Sequence, residues 1–283
     1  TSVRSLCGLT ERQTAADFSC QNLGPIDMKI MAAEYGFQGF IAALTSINCL
    51  MNPIGEDGLA TLVSAVKDSS VRSICGLTEG QTTADFSGMG LGPFDCKIMK
   101  AEFDFRGAIA ALNSIALDEC LITGTTFGSG LFGAPDEKND KLDADSPGFN
   151  SFCSALKSSQ IVNLSLKKCY LGPEALVMLA DAIKFMAALT SVALDGNRID
   201  AAGFNILAQS LSTRVKHVSI AHNPILTEVS ADRPAAGDNI VVLSSMRVVK
   251  IEEDDKSSQH FKDDQGKWHA ESDVMKCIEA HSS

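Results

Sequence analysis

The side chains of this 283-residue chain that could do chemistry are five histidines, nine cysteines and one crowded acidic segment. His217 and His222 flank a short apolar stretch. His217 alternates with Val218, which places it on the solvent side of a strand. His260, His269, Cys277 and His281 could be drawn around a metal, but their spacing matches no zinc pattern. Asp136, Glu137, Asp140, Asp143 and Asp145 share one segment, and calcium would need oxygens at ordered positions that this spacing does not provide. Gly124 to Gly133 contains Gly-Ser-Gly but lacks the GK[ST] ending that grips phosphate. Ser, His and Asp all occur without a nucleophile elbow or other catalytic signature. The expectation is a chain with no catalytic residue, no metal and no cofactor.

The cysteines stand at 7, 20, 49, 75, 96, 120, 153, 169 and 277. Their number is odd, no CxxC pair occurs, and most lie inside apolar patterns. They are expected as reduced, buried thiols of an intracellular, reducing compartment, cytoplasm or organelle. The net charge of -11 disfavours nucleic acid as a partner, because an acidic surface repels phosphate. The longest apolar run, around Phe40 to Met51, is broken by Thr45, Ser46 and Asn48. It falls short of the ~18 residues that span a bilayer, so no transmembrane segment is expected. Thr1 opens inside a repeat, and the expectation is that sequence precedes it, a cleaved targeting segment being one form.

Whatever chemistry these residues serve, a repeated scaffold must position them. Ser2-Val-Arg-Ser-Leu-Cys-Gly-Leu-Thr-Glu11 returns as Ser70-Val-Arg-Ser-Ile-Cys-Gly-Leu-Thr-Glu79, an offset of 68 residues. The match runs on through Ala16-Asp-Phe-Ser19 and Ala84-Asp-Phe-Ser87, and reaches Ile41-Ala-Ala-Leu44 and Ile109-Ala-Ala-Leu112. Roughly two thirds of these positions are identical. A shorter unit lies inside the long one. Leu189 to Ile199 reads LxxLxLxxNxI, and Ile161–Leu171, Val215–Ile225, Leu112–Ile122 and Leu44–Ile54 follow the same form with Asn or Cys ninth. The ninth-place residues are Asn52, Cys120, Cys169, Asn197 and Asn223, with weaker copies at Gln21 and Met89.

This pattern resembles the leucine-rich-repeat family, specifically its ribonuclease-inhibitor-like class. The near-perfect duplication of a long block is similar to arrays found in protists, particularly unicellular algae. The resemblance implies an α/β solenoid with parallel strands on a concave side and helices on a convex side. The residues support that picture independently. LxxLxL alternates, so its leucines share one side of a short strand. Leu176, Leu179, Ala180 and Ile183 then share a helical face, as do Leu59, Leu62, Val63 and Val66, and Phe204, Leu207 and Leu211. Neither element can bury its face alone, so the copies must stack. A buried ninth-place Asn would satisfy the backbone groups freed where the chain turns. Pro25, Pro93 and Pro173 suit first helical positions.

The array is expected over 1–226, with irregular insertions. One is the Cys75–Thr83 stretch. Another is a loop leaving the stack over 127–147 and ending in the turn-like Ser146-Pro-Gly148. Residues 227–283 are expected as a C-terminal cap and tail. Asn239–Leu243 and Met246–Ile251 read there as strands, Glu252–Lys256 as a solvated acidic run, and Val274–Ala280 as a short helix.

The candidate site is the strand face turned away from the helices. Its residues are Asn48, Leu50 and Met51; Asp118 and Glu119; Ser165, Lys167 and Lys168; Asp195; and His217, Ser219 and His222. Asn48, Ala116, Ser165, Ala193 and Ser219 would form a row of small residues. Family resemblance implies that this concave face binds a protein; the alternative is ordinary soluble surface. The expected function is a non-catalytic protein–protein interaction module, a scaffold or accessory subunit of a larger assembly. The competing reading is an inhibitor or sensor module that holds one protein ligand in the concave face.

Overall fold

In a computed structural model the described residues are 5–35, 42–67, 69–105, 108–128, 140–211 and 214–224, with strands at 229–230, 239–242, 247–255, 260–263, 268–270 and 274–277. Strands and helices alternate: β1 (Ala15–Asp17), α1 (Pro25–Tyr35), β2 (Ser46–Asn48), α2 (Gly55–Lys67), β3 (Thr83–Asp85), α3 (Pro93–Phe105), β4 (Ser114–Ala116), α4 (Pro147–Leu156), β5 (Asn163–Ser165), α5 (Pro173–Phe185), β6 (Ser191–Ala193), α6 (Ala201–Ser210) and β7 (His217–Ser219). Every strand among them pairs parallel with its neighbour, β1 with β2 and β3 through β7 in sequence order. The register is unbroken in the larger sheet: Thr83, Ser114, Asn163, Ser191 and His217 stand in one line.

The strands are three residues long because only the middle one must face the helices. Ala84, Ile115, Leu164 and Val192 hold that position and are buried. On α5, Leu176, Leu179, Ala180 and Ile183 are buried while Val177 and Phe185 are exposed, which is the expected amphipathic helix. Pro25, Pro93, Pro147 and Pro173 each open a helix, where the missing N–H is no loss. The ninth-place asparagines are buried. Asn197 Oδ1 accepts from the Cys169 and Leu171 amides at 3.1 and 3.0 Å, and its Nδ2 donates to the Leu166 and Leu194 carbonyls. Asn52 and Asn223 work the same way between their own layers. Cysteine supplies only the donor half: Cys169 Sγ donates to Leu117 O at 3.1 Å and Cys120 Sγ to Phe86 O.

Several sequence expectations are corrected. Ser146-Pro-Gly148 is not a turn. It starts α4, because proline at the first helical position is as compatible with a helix as with a loop. The 127–147 insertion is tied down at both ends. Thr126 and Lys141 exchange backbone hydrogen bonds, and Phe127 packs edge-on against Tyr170, with ring centroids 4.8 Å apart. Its middle, with Asp136 and Glu137, lies outside the described residues. Asp140 and Asp143 are structural: Asp140 takes the Gly128 amide and pairs with Arg198, and Asp143 holds the start of α5.

The Cys75–Thr83 insertion begins as a strand substitute. Ser73 pairs parallel with Ser46, Ile47 and Cys49 donate to the carbonyls of Ser73 and Ile74, and Gly76 donates to Ile47 O. Residues 72–76 thus occupy the edge of β2 that β3 would have used, and the sheet ends there.

Beyond β7 lies an antiparallel sheet of β8 (Val229–Ser230), β9 (Asn239–Val242), β10 (Arg247–Asp255), β11 (His260–Asp263), β12 (Trp268–Ala270) and β13 (Val274–Cys277), in the order β12-β11-β10-β9-β13-β8. The two expected strands are β9 and the start of β10. Within the acidic run, Glu252–Asp255 belong to β10, which pairs with β11. Val274–Cys277 is a strand rather than a helix. β10 lies against α6, the last helix of the stack. No helix among the described residues is long and apolar enough to cross a membrane.

Candidate functional site

The site is the face of the β3–β7 sheet opposite the helices. Short parallel strands in register set its geometry: residues at equal strand positions form straight rows, about 4.8 Å apart from strand to strand. The row of middle-sized and small side chains runs Asp85, Ala116, Ser165, Ala193 and Ser219. One step along, where the strands hand over to the turns, come Ser87, Asp118, Lys167, Asp195 and Ala221.

The charged members of the second row are already engaged. Asp118 Oδ1 accepts from Ser165 Oγ at 2.6 Å and from the Lys167 amide at 2.8 Å. One step further the motif repeats: Asp195 Oδ1 accepts from Ser219 Oγ and, at 2.7 Å, from the Ala221 amide. Lys167 Nζ stands 3.8 Å from Asp195 Oδ2. Ser87 Oγ accepts from the Asp118 amide, carrying the chain of bonds back to β3. Each carboxylate therefore stitches its own strand to the next one. The face is a mixed-charge surface whose polar side chains bond to one another across the strands.

A third row follows a backbone rule that was not read from the sequence. The residue before every ninth-place position has positive φ: Cys20, Met51, Gly88, Glu119, Lys168, Gly196 and His222, at 53 to 68°. That conformation turns the chain sharply off the strand and into the buried Asn or Cys. Two glycines among the seven are the available sequence signal, because glycine enters this region without a Cβ clash. Glu119 and Lys168 lie on neighbouring turns and pair at 2.8 Å. Their hydrogen bond holds the Glu119 carboxyl below the usual range and lifts the Lys168 ammonium above its own.

Asp118, Glu119, Ser165, Lys167, Lys168, Asp195, His217, Ser219 and His222 are thus gathered on one sheet face and its adjoining turns. Asn48, Leu50 and Met51 are not with them. They belong to the β1–β2 sheet, and residues 72–76 stand between the two. Leu50, expected on the surface, is fully buried and part of the apolar core. Asn48 Oδ1 turns back onto the Leu50 amide, and the Met51 amide donates to Asp95. The expected row of small residues therefore starts at β4, with Asp85 in the place given to Asn48.

No protein-family model and no curated protein matches the chain. No cluster of three or more His, Cys, Asp or Glu side chains able to hold a metal occurs among the described residues. Eight cysteines, from Cys7 to Cys169, are free thiols. Burial pushes Cys49, Cys153 and Cys169 up to about 12, and Cys75 and Cys96 well above their ordinary value. These thiols are packing residues rather than nucleophiles.

Proposed function

We propose that the chain is a leucine-rich-repeat solenoid of the ribonuclease-inhibitor-like class. In this reading it is a non-catalytic interaction module that holds a protein partner on its concave strand face, as a scaffold or accessory subunit of a larger assembly. One observation carries the reading. Ala116, Ser165, Ala193 and Ser219 form a small-residue row on four consecutive strands, beside charges that are already fixed by Asp118 and Asp195. A rigid, shallow trough of this kind admits a helix or loop at little cost in ordering, because its own side chains are immobilised before binding. The Lys167 and Lys168 ammoniums at its edge, 43% and 63% exposed, supply an electrostatic handle for an acidic partner surface.

The test is affinity purification with the full chain as bait, followed by mass spectrometry of the co-purified chains. The same experiment is run with Lys167→Glu/Lys168→Glu. Both lysine side chains reach solvent, so the double change removes little packing. A partner held by the trough is retained by the unmodified chain and lost from the variant. Equal recovery by both removes the strand face from consideration.

A further inference from the structure

The duplicated block contains an internal control. Residues 5–9 and 73–77 carry the same segment, Ser-Leu/Ile-Cys-Gly-Leu, and both are held from one side by the same device. Glu34 Oε2 accepts from the Leu6 and Cys7 amides at 2.9 and 2.6 Å, just as Glu102 Oε2 accepts from Ile74 and Cys75. The Ser5 hydroxyl accepts from the Leu9 amide as Ser73 does from Leu77.

The other sides differ. In the second block β2 and α2 cover the segment, so Ile74 is 1% exposed; its counterpart Leu6 is 59% exposed. Ile98 on α3 is buried, whereas Ile30 at the matching place on α1 is 41% exposed. The polar groups that bind across the covered joint have equivalents at the open one that lack that second partner among the described residues. Asp95 receives the Gly92 amide on one oxygen and the Met51 amide on the other, while Asp27, among the described residues, receives the Gly24 amide alone. Lys97 pairs with Glu56 of α2, while Lys29 makes no ion pair among the described residues. The Gly76 amide donates to Ile47 O, and the Gly8 amide has no such acceptor among the described residues. A cleft of about 220 Å³ opens between Leu6, Cys7, Phe18, Asp27 and Met31. At the covered joint Met51 reaches across the matching gap, its Cε 3.4 Å from where a Cβ on Gly90 would stand.

We propose that this end of the stack, built by residues 5–8 with Asp27, Lys29 and Ile30, is a docking surface for a strand–turn–helix unit made like residues 44–67. The occupant must offer a strand edge to residues 5–8 and an apolar side chain with its amide to the cleft and Asp27. It must also present a carboxylate in the first turn of its helix to Lys29. This surface is separate from the strand face and does not depend on what that face binds.

The test fuses a second copy of residues 1–68 ahead of Thr1 of the full chain, which preserves the 68-residue register and delivers such a unit to the face. Exchange of the original Gly8 amide is expected to slow by about 100-fold, as for an amide that gains a strand partner. Alkylation of the original Cys7 is expected to slow by about tenfold. Met51→Asp in the added copy, which sets a carboxylate against Asp27 at a turn position that aspartate tolerates, returns both rates towards those of the unfused chain. Gly8 and Cys7 as reactive in the fusion as in the unfused chain overturn the proposal. An added copy that remains unstructured overturns it equally, because this face is the surface offered to it.

Discussion

Asp143 receives the Gly172 and Ala175 amides, each at 3.0 Å, and so caps a helix to which it does not belong. Helix α5 begins after a glycine that has no side chain to cap with, and the preceding insertion supplies the carboxylate instead. Asp143→Ala is expected to cost about 1–2 kcal/mol, the range for a lost cap with buried amides left open. Asp143→Asn, which keeps an acceptor, should cost less. Urea unfolding monitored by circular dichroism measures both, and equal midpoints for Asp143→Ala and the unmodified chain would show that the insertion does not hold α5.

At Gly148 the start of α4 lies directly against the start of α3. A Cβ placed on it would stand 1.9 Å from the Pro93 carbonyl oxygen, a distance that backbone cannot relieve by a rotamer change. Gly148→Ala is expected to destabilise by about 1–3 kcal/mol or more through overpacking. Asn150→Ala, an exposed change in the same helix, should stay within about 0.5 kcal/mol. Thermal unfolding of the pair separates a steric effect from a general loss of helix.

Asn197 satisfies four backbone groups at once, two amides and two carbonyls. Asn197→Ala strands them in a buried layer, and about 2–4 kcal/mol of stability should be lost. Asn197→Cys should lose less, because the Cys169 layer shows that a thiol still reaches the carbonyl below it. If alanine and cysteine unfold at the same temperature, the thiol bond contributes nothing.

Glu102 is buried, with Oε2 on the Ile74 and Cys75 amides and Oε1 without a hydrogen-bond partner among the described residues. Burial raises its pKa above the ordinary glutamate value, with the Ile74 amide and neighbouring donors opposing. The folded state thus holds a proton that the unfolded chain has already released. Stability from this group is full below the ordinary glutamate pKa and falls as pH rises through the elevated folded value. Glu102→Gln, which cannot ionise, should be more stable than the unmodified chain at about pH 8 and similar to it at about pH 4. Denaturation at the two pH values checks the sign; a gain at low pH instead would reverse the assignment. The equivalent Glu34 shifts the other way: burial raises it, but bonds from Ser5, Cys7 and Leu6 together lower it.

The apolar rhythm made the strand–helix alternation legible, since Ile115, Leu164, Val192 and the ninth-place residues must be inside for any layer to hold together. Proline at 25, 93 and 173 marked helix starts for the same local reason. What escaped depends on contacts distant in sequence. Ser146-Pro-Gly148 reads as a turn until Pro93 is known to press on Gly148. The Cys75–Thr83 stretch reads as an insertion because β2, the partner of residues 72–76, lies a whole unit earlier. The positive φ of Glu119, Lys168 and His222 is imposed by the turn and overrides residue preference. Strand alternation alone predicts an outward Leu50 side chain, whereas the residue is buried in the apolar core.

The interposed segment 72–76 has a mechanical consequence. It closes the edge of β2 without presenting one to β3, so the two parallel ladders share no rung. α1 lies along α2, and α3 along α4, far more closely than α2 along α3. A stack coupled only through nearest neighbours parts at its weakest joint. Under heat or force the chain should tear along this perforation, shedding residues up to Lys67 as one cooperative piece while β3 to β7 stay zipped.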